Sequence, residues 1–365
     1  MKRRYLITGA QGLIGRYLAA RILGAQRDAE VLGVGRSHRI DGFFTHAIRA
    51  GGQPRPAPMP AGLHACLDGR YRYRQLSLLE TGALRDLIRD FRPDCIFHLA
   101  SALHTASERD LFEINVEGTA SLMNALCDSP ETLLIAGSSA SVYGEACALP
   151  IQESHPCRPA DTYGVTKLTA EHLVRVKAER AGLPFVLARI FSVVGPGQTE
   201  THVCGRFAAQ VAALAGIPHP ALEVGPLDPT RDFIDVRDVA SALWLLAQAP
   251  EPGGTWNVAS GRETAIHAVL SELLRIAGLD GRARISQRSG HPGGVTRQLA
   301  DISRLSRLGF RPQHSIAESL CDLFRYYHAA GRGLESEGAC EAEAALLRRM
   351  EVDAAHAGSG LSPQP

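Results

Sequence analysis

The chain is 365 residues long, with 45% hydrophobic and 21% charged residues and a formal net charge of +1. That is a globular composition, sufficient for one large or two smaller packed domains, and it creates no global field to attract nucleic acid or a membrane surface. No uninterrupted apolar stretch is long enough to span a bilayer, and the basic start Met1-Lys2-Arg3-Arg4 runs into Gly9 and Gly12 rather than an apolar signal core. The 8 cysteines are scattered without a C-x-x-C pair, and the 14 histidines show no H-x-x-x-H pattern with a partnered acid. The expectation is a cytoplasmic enzyme with reduced thiols and no metal.

In chain order, Arg4-Tyr5-Leu6-Ile7 is a short apolar run of strand character. It leads into Thr8-Gly9-Ala10-Gln11-Gly12-Leu13-Ile14-Gly15 and then a helical stretch from Tyr17 to Leu23. A strand, a glycine-rich turn and a helix in that order make a pyrophosphate site. Gly9 permits the tight turn, Gly12 lets the backbone approach the phosphates, and Gly15 lets the helix pack against the strand. The free N–H groups and positive end of the helix face the anion. The spacing is G-x-x-G-x-x-G, not the G-x-G-x-x-G of the broader dinucleotide fingerprint. Such a triplet also serves as an ordinary strand-to-helix turn, and the flanking strand and helix favour the phosphate site.

Residues 30–35 read as a second strand, and 37–70, rich in Gly, Pro and His, as a long loop or insertion. A third strand fits 71–76, a helix about 81–90 and a fourth strand 94–99. Residues 108–127 form a long helix with Leu111, Ile114, Leu122, Met123 and Leu126 on one apolar face. A fifth strand at 132–136, a helix at 161–181 and a sixth strand at 185–188 follow. This alternation predicts an α/β fold, a Rossmann-type doubly wound parallel sheet covered by helices on both faces.

Beyond about residue 190, Pro196, Pro218, Pro220, Pro226, Pro229 and the Gly253-Gly254 pair shorten the elements. Helices remain near 203–215, 236–248, 265–277 and 315–329, as in a smaller, mixed α/β lobe. The expected division is 1–188, with 231–258 returning, as the dinucleotide-binding domain, and 189–230 with 259–330 as the substrate-binding lobe. Residues 331–365 form a tail with a helix at 341–349 and a disordered end from Gly358 to Pro365.

Tyr163 and Lys167 stand one turn apart at the start of the 161–181 helix, on one face. A phenol titrates near about 10, and a neighbouring ammonium favours the phenolate, so Tyr163 could exchange a proton at neutral pH. Y-x-x-x-K alone also describes two solvated side chains; its weight comes from Gly137-Ser138-Ser139-Ala140-Ser141-Val142-Tyr143-Gly144-Glu145 directly after the fifth strand. Ligands in such sheets sit at the carboxyl ends of strands. A serine hydroxyl there can bond a substrate carbonyl while Tyr163 moves the proton. Ser139 is the chosen hydroxyl, with Ser138 and Ser141 as competitors.

Together T-G-A-Q-G-L-I-G at 8–15, H-L-A-S at 98–101, N-V-E-G-T at 115–119, S-S-A-S-V-Y-G at 138–144, Y-G-V-T-K at 163–167 and G-P-G-Q at 195–198 resemble the extended short-chain dehydrogenases that modify nucleotide sugars. R-D-F-I-D-V-R-D-V at 231–239 and W-N-V-A-S-G at 256–261 extend the similarity over about residues 4–328. In Leu149 to Glu153, Ala188 to Phe191 and Val224 to Asp228 the chain looks most like the GDP-4-keto-6-deoxymannose reductases. The resemblance implies Ser139, Tyr163 and Lys167 as the catalytic trio, with Asn115 holding Lys167 through water. It sets Leu99, Ala100 and Ser101 along the cofactor's ribose and phosphates, and Arg231 and Arg288 on the substrate diphosphate. Gln11, Leu13, Ile14, Leu78 and Ile190 complete the candidate cofactor contacts, and His104, Ser141, Ser192 and Arg206 the candidate substrate contacts. The chain departs from the family in three places. Ser77 stands where an aspartate usually holds the adenine, Arg189-Ile190-Phe191-Ser192 lacks the usual proline and asparagine, and 41–70 is long and unassigned. Pairing through the helices at 108–127 and 161–181 is common in the family and implies a homodimer.

In NAD enzymes an acid ending the second strand bonds the ribose 2′-hydroxyl, whereas an arginine suits a 2′-phosphate. Here that strand ends Gly35-Arg36-Ser37-His38-Arg39, with no acid before Asp41. The expected cofactor is NADP(H), held by Arg36 with Ser37 or Arg39, and NAD is the alternative; a basic exposed loop would look the same. The leading function is NADPH-dependent reduction of the 4-keto group of a nucleotide-linked deoxysugar. The rival enzyme is an NAD-retaining 4-epimerase. A 4,6-dehydratase is disfavoured, because the family's Asp-Glu pair is replaced by Ala140 and Ser141. A non-catalytic NADP sensor would keep the glycine turn and lose the Tyr–Lys pair.

Overall fold

Tyr5, Leu6, Ile7 and Thr8 are all fully buried, as a strand covered on both faces requires. The structure is a computed structural model, and it describes residues 3–38, 40, 42–50, 53–67, 69–249, 253–288 and 295–332. The elements run β1 (Arg3–Thr8), α1 (Leu13–Ala25), β2 (Ala29–Gly35), β3 (Phe43–Ala50), β4 (Gln53–Pro58), α2 (Ala61–Ala65), β5 (Tyr71–Gln75), α3 (Thr81–Phe91) and β6 (Cys95–His98). Next come α4 (Glu108–Leu111), a π-helical segment at Phe112–Glu117, α5 (Gly118–Ala125), β7 (Leu133–Ser139), α6 (Thr162–Ala181), β8 (Phe185–Ile190), β9 (Ser192–Val194) and α7 (Val203–Leu214). β10 (Ala221–Val224), β11 (Thr230–Asp235), α8 (Val236–Gln248), β12 (Gly254–Val258), β13 (Glu263–Ala265), α9 (Ile266–Ile276), β14 (Arg284–Gln287), α10 (Ser303–Arg307) and α11 (Ile316–Arg332) complete the described chain. No described helix is long and apolar enough to cross a membrane.

Seven strands form one sheet in the order β12-β8-β7-β6-β1-β2-β5, every neighbouring pair parallel, which is the expected doubly wound architecture. Alternate residues feed opposite cores. Leu6, Ile96, Leu134 and Leu187 pack with Leu84 and Ile88 of α3 and Leu122 of α5, while Tyr5, Ile7, Phe97 and Ile135 pack on the side of α1 and α8. The strand order reverses between β1 and β6, so the crevice for a ligand opens beyond their carboxyl ends. A second sheet joins β9, β11 and β13, and β10 pairs with β14.

Two expectations need correction. Residues 37–70 are not simply a loop: β3 and β4 form an antiparallel hairpin, followed by α2. Pro54, Pro56 and Pro58 alternate along β4, so all three missing N–H groups fall on one edge and the other edge pairs with β3. The hairpin is docked, not free. Phe44 is 2% exposed, a burial that contributes about 2 kcal/mol, and a side chain at Gly197 would overlap its ring. Thr45 N donates to Gln11 O at 3.2 Å, and Tyr326 of α11 donates to Pro58 O at 3.0 Å.

The helix expected over 108–127 is interrupted. Its π-helical turn carries Asn115 into the interior at 2% exposure, while Ile114, expected on the apolar face, is only partly buried. Such turns often mark functional positions. The expected tail features from residue 333 onward lie outside the described residues, as do Arg39 and Asp41.

Candidate active site

Gly9 has φ +68, a conformation glycine adopts without penalty, and a Cβ there would lie 2.7 Å from Ala100 N. A Cβ at Gly15 would lie 2.5 Å from Gly9 O, so the turn folds against the start of α1 only with hydrogen at both positions. Gly12 caps α1 with no side-chain acceptor and no acid in the first turn, leaving the helix end to an anion. This cradle fits the pyrophosphate of a dinucleotide. Gln11 fastens it to the end of β2: Nε2 donates to Ser37 Oγ at 2.9 Å and His38 O at 2.8 Å, and Oε1 accepts from Ile40 N at 2.7 Å.

Arg36 is exposed at the end of β2, and no acid occurs among the described residues from 36 to 50. Ser77 is partly buried, but its hydroxyl accepts from Leu79 N at 3.3 Å, as in a turn leading into α3. Leu78 is buried and lies against Gly118. At the strand ends, Leu99 and Ile190 converge on Gly137, while Leu13 and Ile14 border the core beside them.

The catalytic candidates meet beyond β7. That strand continues through Ser139, and the alternation of its end separates the competing serines. Ser138 is buried and donates to Glu171 Oε1 at 2.5 Å, so it is committed to the interior. Ser139 Oγ lies 3.2 Å from Ser141 Oγ and accepts from Ser141 N at 3.1 Å, on the Tyr163 side.

Burial pushes the Tyr163 phenol above its ordinary value, against the pull of hydrogen bonding from Ser139 and Ser101. The expected lowering by Lys167 is therefore not what governs this phenol in the free protein. Lys167 is 8% exposed and donates to Gly137 O at 2.6 Å; burial pulls its ammonium down to about 8, with Glu171 opposing. Asn115 does not reach Lys167 through a spare polar atom. Its Oδ1 accepts from Ser101 Oγ and Ala102 N, and its Nδ2 donates to Ala102 O and Thr166 Oγ1. All four positions of the amide are taken, which leaves none for the expected bridging water.

The substrate candidates do not gather in one place. His104 is exposed with its ring 6.5 Å from that of Tyr163 and 5.6 Å from that of His202. Arg206 and Arg288 line a cleft of about 400 Å³ with Val203, Phe207, Gln210, Glu223 and Pro226. Arg288 was expected to grip a diphosphate, but its guanidinium is occupied by Glu223, at 2.6 and 3.0 Å. Arg231 is partly buried, donates to Thr230 O at 2.7 Å and is not in that cleft; burial lowers its guanidinium from the usual value, with Glu145 opposing. Ser192 is partly buried on β9.

Sequence reasoning missed His202, His46 and Glu171. Burial brings the His202 imidazole down to about 4, helped by His104, His46 and Arg206, so it is neutral at pH 7. His46 arrives on the hairpin, bonded to Gly197 O at 2.7 Å, and nothing local in the sequence signals that position. Glu171 did have a signal, lying four residues beyond Lys167 on one helix. It forms a buried bidentate pair with Arg189, at 2.9 and 2.7 Å. Among the described residues no cluster of His, Cys, Asp and Glu could hold a metal ion.

The chain is similar to known proteins over most of its length. GDP-6-deoxy-D-mannose reductase of Pseudomonas aeruginosa is 31% identical over 337 residues, covering 88% of this chain and 95% of that protein. dTDP-L-rhamnose 4-epimerase of Burkholderia thailandensis is 28% identical over 368 residues, covering 88% and 94%. A solved structure of a variant UDP-glucuronic acid 4-epimerase from Bacillus cereus, in complex with UDP-4-deoxy-4-fluoro-glucuronic acid and NAD, matches with TM-score 0.73 and 26% identity over 90% of this chain and 99% of that one. The family model described as the NAD dependent epimerase/dehydratase family matches residues 5–259, from β1 through the end of β12. A match that takes in the glycine cradle, the serine at the end of β7 and the tyrosine–lysine turn makes the chain an enzyme of that family, of the extended short-chain dehydrogenase/reductase type.

Proposed function

We propose that this protein is an NADPH-dependent reductase of the 4-keto group of a nucleotide-linked deoxysugar. The observation that carries the reading is the convergence of Ser139, Tyr163 and Lys167 at the carboxyl ends of the strands, next to the glycine cradle. A dinucleotide held by its pyrophosphate in the glycine cradle would supply the hydride from its nicotinamide. Tyr163 Oη–H gives its proton to the carbonyl oxygen, and Ser139 Oγ–H bonds that oxygen and stabilises the charge growing on it. The Lys167 ammonium stabilises the phenolate left behind. The raised Tyr163 phenol suits the acid of a reduction, since it is fully protonated at neutral pH.

The NADPH preference rests on exposed Arg36 and on the lack of an acid beside it; the resemblance to the Pseudomonas reductase supports the deoxysugar substrate. The cleft at Arg206 is the place proposed for the nucleotide. A homodimer is supported by exposed apolar residues on the helices expected to pair: Phe112 at 44%, Val165 at 41% and Val176 at 45%.

A second reading, a 4-epimerase with retained NAD, is favoured by one feature. The hairpin fastens the glycine turn to the 195–200 segment, as a tightly held cofactor would need. Denaturing the purified protein and identifying the released nucleotide separates the two. Retained NAD selects the epimerase. An empty or NADP(H)-exchanging site, with NADPH consumed on adding a nucleotide 4-keto sugar and lost in Tyr163→Phe, selects the reductase.

A further inference from the structure

The loop between Tyr143 and Arg158 runs from the turn of Ser139 and Ser141 toward the helix of Tyr163, and it carries Cys147, His155 and Cys157. The proposed reduction uses none of the three. The loop is held at its ends, where Arg158 N donates to Tyr143 O at 3.4 Å, and in its middle by Ile151, whose N–H donates to Leu299 O at 2.7 Å and whose carbonyl accepts from Asp301 N at 2.8 Å. On this frame His155 Nδ1 lies 2.9 Å from Pro156 O. A carbonyl oxygen only accepts, so Nδ1 carries the ring hydrogen and Nε2 presents its lone pair. Cys147 Sγ lies 3.3 Å from that Nε2, within reach of a donating thiol. The imidazole stands edge-on to the Tyr143 ring, 5.9 Å between centroids, which fixes its plane. A nucleophile, a base within hydrogen-bond reach and a third group that orients the base form the arrangement that activates a thiol. Cys147 is exposed, so this one opens to solvent.

We propose that Cys147 is a modification site, a thiol activated by His155 that exchanges with small-molecule disulfides. The Sγ–H proton passes to His155 Nε2 as Sγ attacks one sulfur of the disulfide. A new S–S bond forms to Cys147, the original S–S bond breaks, and the departing sulfur takes the proton back from His155. Cys147 is oxidised and the small molecule reduced, with no further co-reactant. The other described cysteines lack one requirement each. Cys157, whose Sγ lies 4.0 Å from His155 O, packs against the cluster of Ala140, Val142 and Phe191, and burial raises its thiol. Cys127 is exposed too, but its Sγ faces Met123 O at 3.5 Å, a carbonyl that is no base. Cys95 and Cys204 are buried. Glu145, the nearest acid along the chain, turns its carboxylate to Thr296 N at 2.7 Å.

The probe is oxidised glutathione, added to the full-length protein at neutral pH; no substrate is needed, so the outcome is independent of the function proposed above. After quenching, digestion at Glu131, Glu145 and Glu153 puts Cys127, Cys147 and Cys157 on separate peptides, and mass spectrometry reads the rate at each. Cys147 should form the mixed disulfide roughly tenfold faster than Cys127, or more, within the same molecules. His155→Gln should bring Cys147 down to the rate of Cys127 and leave Cys127 unchanged. Cys95 and Cys204, buried in the sheet core and in α7, stay unmodified in a folded protein and report any unfolding of the variant. Should they react, His155→Asn replaces His155→Gln. Similar wild-type rates at Cys147 and Cys127 overturn the proposal whatever the variants do. So does a fast Cys147 in a folded His155 variant, which leaves exposure alone as the cause.

Discussion

Lys167 and Glu171 lie one turn apart on α6 and divide the interior between them. The ammonium donates to Gly137 O at 2.6 Å, while the carboxylate turns to Arg189 and Ser138. Burial pulls the Lys167 ammonium down to about 8, and the Glu171 charge limits that fall. Below pH 8 the lysine carries its charge and supports the phenolate; above it the support is lost. We expect kcat to decline on the alkaline side near pH 8. Glu171→Gln removes the limiting charge, so the decline moves to lower pH, and kcat–pH profiles of the two proteins check this.

The Glu171–Arg189 pair is buried, with side chains 5% and 6% exposed. Deleting Arg189 leaves Glu171 charged in the interior without its bidentate partner. Arg189→Met is expected to cost about 3–5 kcal/mol of stability, read as a lower denaturant midpoint. Arg189 also lies 4.7 Å over the Tyr143 ring, a contact the methionine does not replace in kind.

The cofactor preference turns on one exposed guanidinium. Arg36→Ala should weaken NADP(H) binding roughly 10- to 100-fold, a loss of about 1.4–2.7 kcal/mol, with little change for NAD. Fluorescence titration with both nucleotides decides it; equal losses for the two would remove the 2′-phosphate from consideration.

Val165 and Val176 fall on one stripe of α6, eleven residues apart, and both are exposed. Val176→Glu on that stripe should convert a dimer to a monomer in light scattering and leave the fold intact by circular dichroism. A wild type that is already monomeric would end the pairing proposal.

The Asp235–Arg237 pair predicts an acid dependence of stability. Burial alone would raise the Asp235 carboxyl, but the Arg237 guanidinium outweighs it and holds the group below the usual carboxylate range. A carboxyl depressed on folding contributes stability above its unfolded pKa and loses it as pH falls through the folded one. Thermal unfolding from pH 7 to pH 3 should show a loss that is smaller in Asp235→Asn, itself less stable at neutral pH.

What could be read directly from the chain was written in short range. The strand–turn–helix at 3–25 follows from an apolar run interrupted by Gly9, Gly12 and Gly15, and the tyrosine–lysine turn from helical spacing alone. The choice among Ser138, Ser139 and Ser141 was not local: it depends on β7 extending to Ser139, so that alternation sends Ser138 to Glu171. The hairpin escaped notice because its second strand is half proline, a composition that ordinarily argues against a strand. The π-helical turn was invisible because Leu111, Leu122 and Met123 satisfy an uninterrupted helix equally well. The occupied Arg288 fork depends on β10 and β14, which lie some sixty residues apart.

The docking of the hairpin has a consequence for how the protein is made. The cofactor turn is completed by residues near the start of the chain, yet the hairpin that braces it is held by Tyr326, and Tyr327 donates to Gln198 O at 2.6 Å in the adjoining segment. On the ribosome, the first strand and glycine turn emerge early and wait, unbraced, until residues 316–332 have been synthesised. Nascent chains shorter than this should leave the turn open to protease.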